Sequence, residues 1–283
     1  MVFALPIRKM AGMDAMMSRP IGDLLREWRL TRRLSQLDLS LDAGISARHL
    51  SYVETGKARP SRDMVTLLAD TLEIPLRERN ALLVAAGFAP HYRETTLATP
   101  EMAQIRRAID CILVQQEPYP ALVMNKRWDL LATNEAFRRI FGRLTGGPSR
   151  HGNVMRQIFD PDDVRRVVLN WEEVAGDLIR HLHQEVAATP GDRVLQALLA
   201  DVLAYPGVPA RWQALDPAAA TAPLLTGHFG GNGLEVRFFS TITTFGTPRD
   251  ITLDDLRIEC MFPADDATAA LCRDLADPLR PRQ

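Results

Sequence analysis

In the stretch GISARHLSYVETGKARPS, Gly44 to Ser61, the polar side chains recur at helical intervals. Ala47, Arg48, Ser51 and Tyr52 share one stripe of a short helix, with His49 at its edge. Ile45, Leu50 and Val53 share another stripe, enough to dock the helix and little more. A helix with so little to bury is suited to recognising polar groups. An arginine on it can donate two parallel hydrogen bonds to O6 and N7 of a guanine, worth about 1–3 kcal/mol against another base. The outer side must be slim enough to enter a major groove, and Ala47, Arg48, Ser51 and Tyr52 meet that demand. Arg48 is the strongest candidate for reading a base. Lys57, Arg59 and Arg62 follow the helix and suit phosphate, as does Gln36, expected in the first turn of the preceding helix.

Five short helices between Ile21 and Ala86 would position these groups. IGDLLREWRLTR places Ile21, Leu24, Leu25 and Trp28 on one stripe. Ser35 can cap the second helix, with Leu37, Leu39 and Leu41 inside the turn region and Gly44 as its stop. Ser46 caps the third, which ends at Gly56. Ser61 caps the fourth, with Met64, Val65, Leu67, Leu68 and Leu72 as its apolar set. Pro75 opens the fifth, which stops at Gly87. The DAGIS turn between the second and third is the Gly-containing turn of a helix-turn-helix. Glu54, beside a basic loop, is expected in a structural ion pair.

The whole run LSQLDLSLDAGISARHLSYVETGKARPS resembles the Xre/Cro/phage-repressor type of helix-turn-helix. Gln36, Ala43-Gly44, Ser46 and the loop Glu54-Thr55-Gly56-Lys57-Ala58-Arg59-Pro60 carry the resemblance. It implies that the first residues of the third helix, Ala47, Arg48 and Tyr52, read bases. Ala47 stands where that family often has a glutamine.

Composition supports this without proving it. The chain has 283 residues and a formal charge of −1, so there is no global attraction to nucleic acid. Charge is uneven, however: Arg19 to Arg62 holds nine Lys/Arg against five Asp/Glu, whereas residues 96 onward hold 20 basic and 24 acidic ones. Length suggests two domains. The scattered Cys111, Cys260 and Cys272 fit a reduced, cytosolic protein without disulfide or zinc framework. No membrane-spanning run is seen, and residues 1–18 read as a flexible tail.

After a polar, Pro-bounded linker at residues 90–100, the pattern changes. YPALVMN and WDLLAT read as strands around a turn at Asn125 to Arg127, and NEAFRRIFG as a helix ending at Gly142. Three helices follow, opened by Asp160-Pro161, Asp192 and Pro209. Then APLLTGHF, LEVRFFSTITTF and LRIECMFP read as strands and DDATAALCRDL as a last helix. The expected fold is therefore an N-terminal all-α five-helix domain (19–89) and a C-terminal α+β domain (101–283).

MNKRWDLLATNEAF (Met124 to Phe137), NVMRQIFDPDDVR (Asn153 to Arg165) with Trp171, and TTFGTPRDITLDDLRIECMFPADDATA (Thr243 to Ala269) resemble, in that order, the ligand-binding domain of MmyB-like transcription regulators. The resemblance implies a PAS-like sensor domain holding a small, largely apolar molecule, with fatty acid-like ligands as one such class. Trp128, Phe137, Phe141, Phe159, Trp171, Phe239, Phe245 and Met261 could wall such a pocket, with Asn153 or Arg156 as polar anchors. Ordinary core is the simpler account of any one of these aromatics.

Other chemistry fades. His181 and His183, two apart on a helix, point away from each other and make no metal pair. GHFGGNG links two strands and reads as a hairpin turn, not a phosphate loop. The acid pairs Asp162-Asp163, Asp254-Asp255 and Asp265-Asp266 read as helix caps. No G-x-S-x-G, H-E-x-x-H or Walker pattern occurs, so no catalytic residue, cofactor or metal is expected. The reading is a regulator that binds a double-stranded operator as a homodimer and responds to a small apolar ligand. Two alternatives stay open: a small-molecule-binding protein or enzyme whose helical domain binds protein, and an antitoxin-like DNA-binding partner.

Overall fold

The computed structural model describes residues 19–214 and 224–277. The N-terminal tail and the first residues of the APLLTGHF run lie outside them.

Five helices form the N-terminal domain: α1 (Ile21–Thr31), α2 (Gln36–Asp42), α3 (Ala47–Glu54), α4 (Arg62–Thr71) and α5 (Leu76–Ala85). Their starts follow from side-chain caps. Ser35 and Asp38 exchange bonds in a capping box, and Ser46 and Ser61 each accept from a backbone N–H three residues on. Leu24, Leu25, Trp28, Leu39, Leu50, Val53 and Leu68, all nearly fully buried, make one core. Among the leucines of these helices, Leu37, Leu41 and Leu67 are exposed, at 59%, 70% and 40%. With a turn every 3.6 residues, only Leu39 of α2 can face the core. Gly22 lets α1 approach the end of α3: a Cβ there would lie 2.4 Å from the Glu54 carbonyl oxygen.

The C-terminal domain is α+β. Helix α6 (Ala103–Gln115), which the sequence reading omits, leads into strands β1 (Ala121–Met124) and β2 (Leu130–Thr133). Helices α7 (Glu135–Thr145), α8 (Val154–Phe159), α9 (Trp171–Ala188) and α10 (Arg193–Leu203) follow. The chain closes with strands β3 (Thr226–Gly231) and β4 (Leu234–Thr243), a short α11 (Ile251–Asp255), β5 (Arg257–Pro263) and α12 (Asp266–Ala276). The five strands form one antiparallel sheet in the order β2-β1-β5-β4-β3.

Both faces of the sheet are covered, which is why all four residues of β1 are buried. Ala121 and Val123 face α6 in a small core with Ile109, Leu113 and Ile258. Leu122 and Met124 face the opposite way, into the main core with Ile140, Phe159, Leu182 and Phe229. The expected GHFGGNG hairpin is present, turning at Asn232 and Gly233.

Helix α7 runs through Gly142 and ends at Gly146 (φ 74°), because Leu144 extends its buried stripe by one turn. Asp160-Pro161 opens no α-helix, only a turn and a 3-10 segment, Val164–Val167; the long helix starts at Trp171. Pro209 likewise precedes only a 3-10 turn, Ala210–Gln213. Asp192 and Asp265 do cap helices. Asp254 and Asp255 instead sit at the end of α11, which Asp250 caps, and they bind Lys126 and Arg77. Asp163 caps nothing; its buried carboxylate accepts from the Ser149 hydroxyl and the Arg150 N–H.

The segment 90–100 is tied to the second domain. Ile251 N donates to the Arg93 carbonyl at 2.8 Å, and the Thr95 hydroxyl donates to Asp250 at 2.6 Å. Arg77 of α5 bridges Glu94 and Asp255. No helix among the described residues is long and apolar enough to cross a membrane.

Candidate functional site

Helix α3 docks as its sequence requires. Leu50 and Val53 are buried and Ile45 packs against them, while Arg48 and Tyr52 stand on the surface. Arg48 Nε donates to the Tyr52 hydroxyl at 3.1 Å, and its guanidinium lies 5.4 Å from the ring centroid. Lys57 approaches the same ring, at 5.9 Å. Tyr52 thus gathers two cations on the exposed stripe. Ala47, His49 and Ser51 are half-buried around them.

Beneath this stripe is a buried ionic node. Glu54 at the end of α3 accepts from Arg29 Nε at 2.7 Å and Arg29 Nη2 at 2.9 Å, a forked pair. Gln36 Nε2 donates to the same carboxylate at 2.7 Å. Arg29 also donates to the Leu34 carbonyl before α2. Burial pushes the Glu54 carboxyl up, but the bonds from Arg29 and Gln36 and the arginine's charge outweigh it and hold it below the ordinary range. The bond to Glu54 raises Arg29 in return. One node thus fixes α1, α2 and α3 together. The ion pair expected for Glu54 exists, but with α1 and not with the basic loop.

The flanking groups divide. Lys57 and Arg59 are exposed. Ser46 and Ser61 spend their hydroxyls as caps. Arg62 donates to the Ala89 carbonyl at 2.9 Å and lies over Phe88, so it closes the domain's C-terminal end. Gln36 braces Glu54 with its amide nitrogen, while its position at the start of α2 leaves unpaired backbone N–H groups.

The ten residues suggested for a ligand pocket do not gather around one cavity. Phe137 and Phe141 stack on each other at 4.6 Å, and Phe141 meets Phe229 edge-on. Phe159, fully buried, meets Trp171 and Trp212. Trp171 donates to the Ile158 carbonyl and carries the Arg165 guanidinium 3.6 Å above its ring; burial lowers that arginine's pKa. Trp128 donates to Glu185 at 2.7 Å. Met261 packs at the margin of this main core. Phe239 stacks on Phe262, and Phe245 and Phe262 belong to the small core on the sheet's other face.

Asn153 and Arg156 are brought together, at an open depression of about 320 Å³ between α8 and the start of α10. That volume is in the range of small-molecule sites. Arg127, Asp129, Arg193, Val194 and Leu198 join them there, three arginines over an apolar floor. Arg127 pairs with Asp192 and Arg156 with Asp201. None of these five residues was singled out from the sequence. Arg127 lay in the quoted NKRW turn, where an Asn125 side chain accepting from two backbone N–H groups fixes the loop. The other residues carried no local signal.

Neither histidine of the H-L-H run meets a metal-like partner set: His181 faces Asp177 and His183 the Trp212 carbonyl. Among the described residues no cluster of three metal-ligating side chains occurs.

Comparison with known proteins matches residues 105–275 to the MmyB-like transcription regulator ligand binding domain and residues 20–82 to a helix-turn-helix domain. The transcriptional regulator ClgR of Mycobacterium tuberculosis, from strains CDC 1551 / Oshkosh and ATCC 25618 / H37Rv, is 29% identical over 75 residues. That is 26% of this chain and 64% of those relatives' length. A solved structure of an RNA-binding light-oxygen-voltage receptor aligns with 95% of this chain and 67% of its own at 12% identity, with a TM-score of 0.26, too low to support a structural argument.

Proposed function

Since the chain belongs to the MmyB-like transcription regulators and joins their ligand-binding domain to a helix-turn-helix, we propose that it binds a two-fold-symmetric operator as a homodimer under control of a small, largely apolar ligand. The observation that carries this is the exposed stripe of α3, polar and cationic, braced from beneath by the Arg29–Glu54–Gln36 node. Arg48 reads a guanine, Tyr52 and Ser51 extend the reading, and Ala47 and His49 lie beside the bases. Lys57, Arg59 and the start of α2 at Gln36 meet phosphates, with Ser46, Ser61 and Arg62 holding the helix ends that approach the backbone. One head making few phosphate contacts binds weakly, and two linked heads gain by effective concentration.

The ligand reading is an amphipathic molecule of the fatty acid kind. The depression at Asn153 and Arg156 supports it, with arginines for a carboxylate and Val194 and Leu198 for a chain. Selection of random duplex DNA with the pure protein should enrich a palindromic motif, and native mass spectrometry should report a dimer carrying a small molecule. An unenriched pool would sink the operator reading, and a ligand-free monomer the other two.

A further inference from the structure

One turn joins the depression to the seam between the two domains. Asn125 to Asp129 connects β1 to β2, and the Asn125 side-chain oxygen accepts from Arg127 N and Asp129 N, both at 2.9 Å. Trp128, inside the turn, holds a left-handed backbone (φ 66°), an outlier for so bulky a side chain. Its indole bond to Glu185, and the Asn153 amide on the Arg127 carbonyl at 2.8 Å, keep the turn in that shape. On one side Arg127 reaches Asp192 at 3.0 Å and lines the depression, as does Asn153. On the other side Lys126 donates to Asp254 of α11 at 2.7 Å and lies 4.0 Å from Asp255. Asp255 in turn accepts from Arg77 of α5 at 2.8 Å. Lys126 and Asp254 also line an open crevice of about 330 Å³ against the loop that joins α4 to α5, at Glu73, Ile74 and Pro75. The helical domain is thus seated on α11, and Lys126 stands at the seat.

We propose that this turn carries the ligand's presence to the DNA-reading head: a carboxylate seated in the depression takes Arg127 from Asp192, the turn relaxes from its left-handed shape, and Lys126 lets go of α11, so that α5 loosens from the C-terminal domain. This rests on the ligand reading above and adds the route by which it acts. Each step follows a contact already described, from the depression to Arg127, along the turn to Lys126, and through Asp254 and Asp255 to Arg77. A ligand shifts a population only through its different affinity for the two states. Here the seated state offers a guanidinium committed to Asp192, and the loosened state offers it free. The seam lies on α5 and the recognition stripe on α3, so loosening leaves the reading groups intact. What changes is the placement of the heads, and operator affinity falls by about tenfold, an ordinary coupling. By reciprocity, a change that loosens the seam beforehand tightens ligand binding.

The test uses the full chain, an operator fragment from the selection, and sodium dodecanoate below its micellar concentration, with dodecanol as the uncharged counterpart. The seam is read by hydrogen exchange at Ile251 N–H, which donates to the Arg93 carbonyl, and at Thr95 N–H, which donates to Asp250. Dodecanoate should speed both exchanges about tenfold and weaken operator binding, and dodecanol should do neither. Without ligand, Lys126→Met should speed the same exchanges, and it should bind dodecanoate up to about tenfold more tightly than the wild type. Asp254→Asn should do likewise from the other side of the bond, while Lys126→Arg should keep the wild-type rates. Faster exchange in Lys126→Met with unchanged dodecanoate affinity makes the seam a mere fastening and overturns the coupling. So does dodecanoate that binds the wild type without speeding exchange, and either result leaves the ligand reading standing. Failure of dodecanoate to bind the wild type overturns the ligand reading and the trigger with it. Unchanged exchange in both ligand-free Lys126→Met and Asp254→Asn overturns the route whatever binds.

Discussion

The helical domain exposes the polar groups that its sequence sets on one stripe, whereas the C-terminal domain packs the aromatics that its sequence offers as cavity walls into or against its cores. In the first case a side chain's type already says where it must be. Arg48 and Tyr52 have no apolar reason to point inward, and Leu50 and Val53 have no other place to go. In the second case type says little, since Phe159 suits a pocket wall and a packed core equally. Only tertiary contacts separate the two, and they place Phe159 against Trp171 and Trp212. An exposed polar stripe is thus more readable from sequence than the wall of a cavity.

Truncation in each domain tests this contrast most strongly. Phe159→Ala should cost about 3–5 kcal/mol of C-terminal domain stability by leaving a cavity in a packed cluster, measured by urea unfolding. A cost under about 1 kcal/mol would mean that Phe159 walls an empty pocket after all. Glu54→Ala should cost a similar ~3–5 kcal/mol in the helical domain, because it strands the buried Arg29. The double change Arg29→Met with Glu54→Leu should recover most of that loss, as buried pairs replaced by apolar residues often do. If it recovers stability without operator binding, the node sets the aim of α3 more than its folding. The same node carries a pH dependence. The folded Glu54 carboxyl lies below its ordinary 4.5, so its stabilisation is complete above that value and is lost as pH falls through the lower folded one. A guanidinium-denaturation series in acid should show the helical domain weakening there, and the Glu54→Gln variant should show less of it.

Smaller effects sharpen the reading of the exposed stripe. Arg48→Ala should relax selection at one base position by about 1–3 kcal/mol. A uniform loss over all sequences would make Arg48 a phosphate contact. Lys57→Ala should do the opposite, weakening every duplex alike and lowering the salt slope by roughly one.

Capping and turn chemistry made the helical domain legible: Ser35, Ser46, Ser61 and Gly44 act as their types predict. The partner of Glu54 was not legible, because Arg29 lies 25 residues away on a helix whose stripe gave no sign of it. In the C-terminal domain the strands and the final helix were visible from β-branched runs and the Asp265 cap. Helix α6 was missed because its start has no capping side chain and follows directly on a 3-10 turn. The depression was half legible. Asn153 and Arg156 were in view, but Arg127, Arg193 and Leu198 come from elements that meet only in three dimensions.

The contact at Gly22 has a mechanical meaning. No side chain separates α1 from the carbonyl groups ending α3, so there is no soft layer between them to take up a displacement. Force applied to α1 therefore reaches the recognition helix undamped. Helices α1 and α3 move as one piece, like two links welded where a hinge could have been.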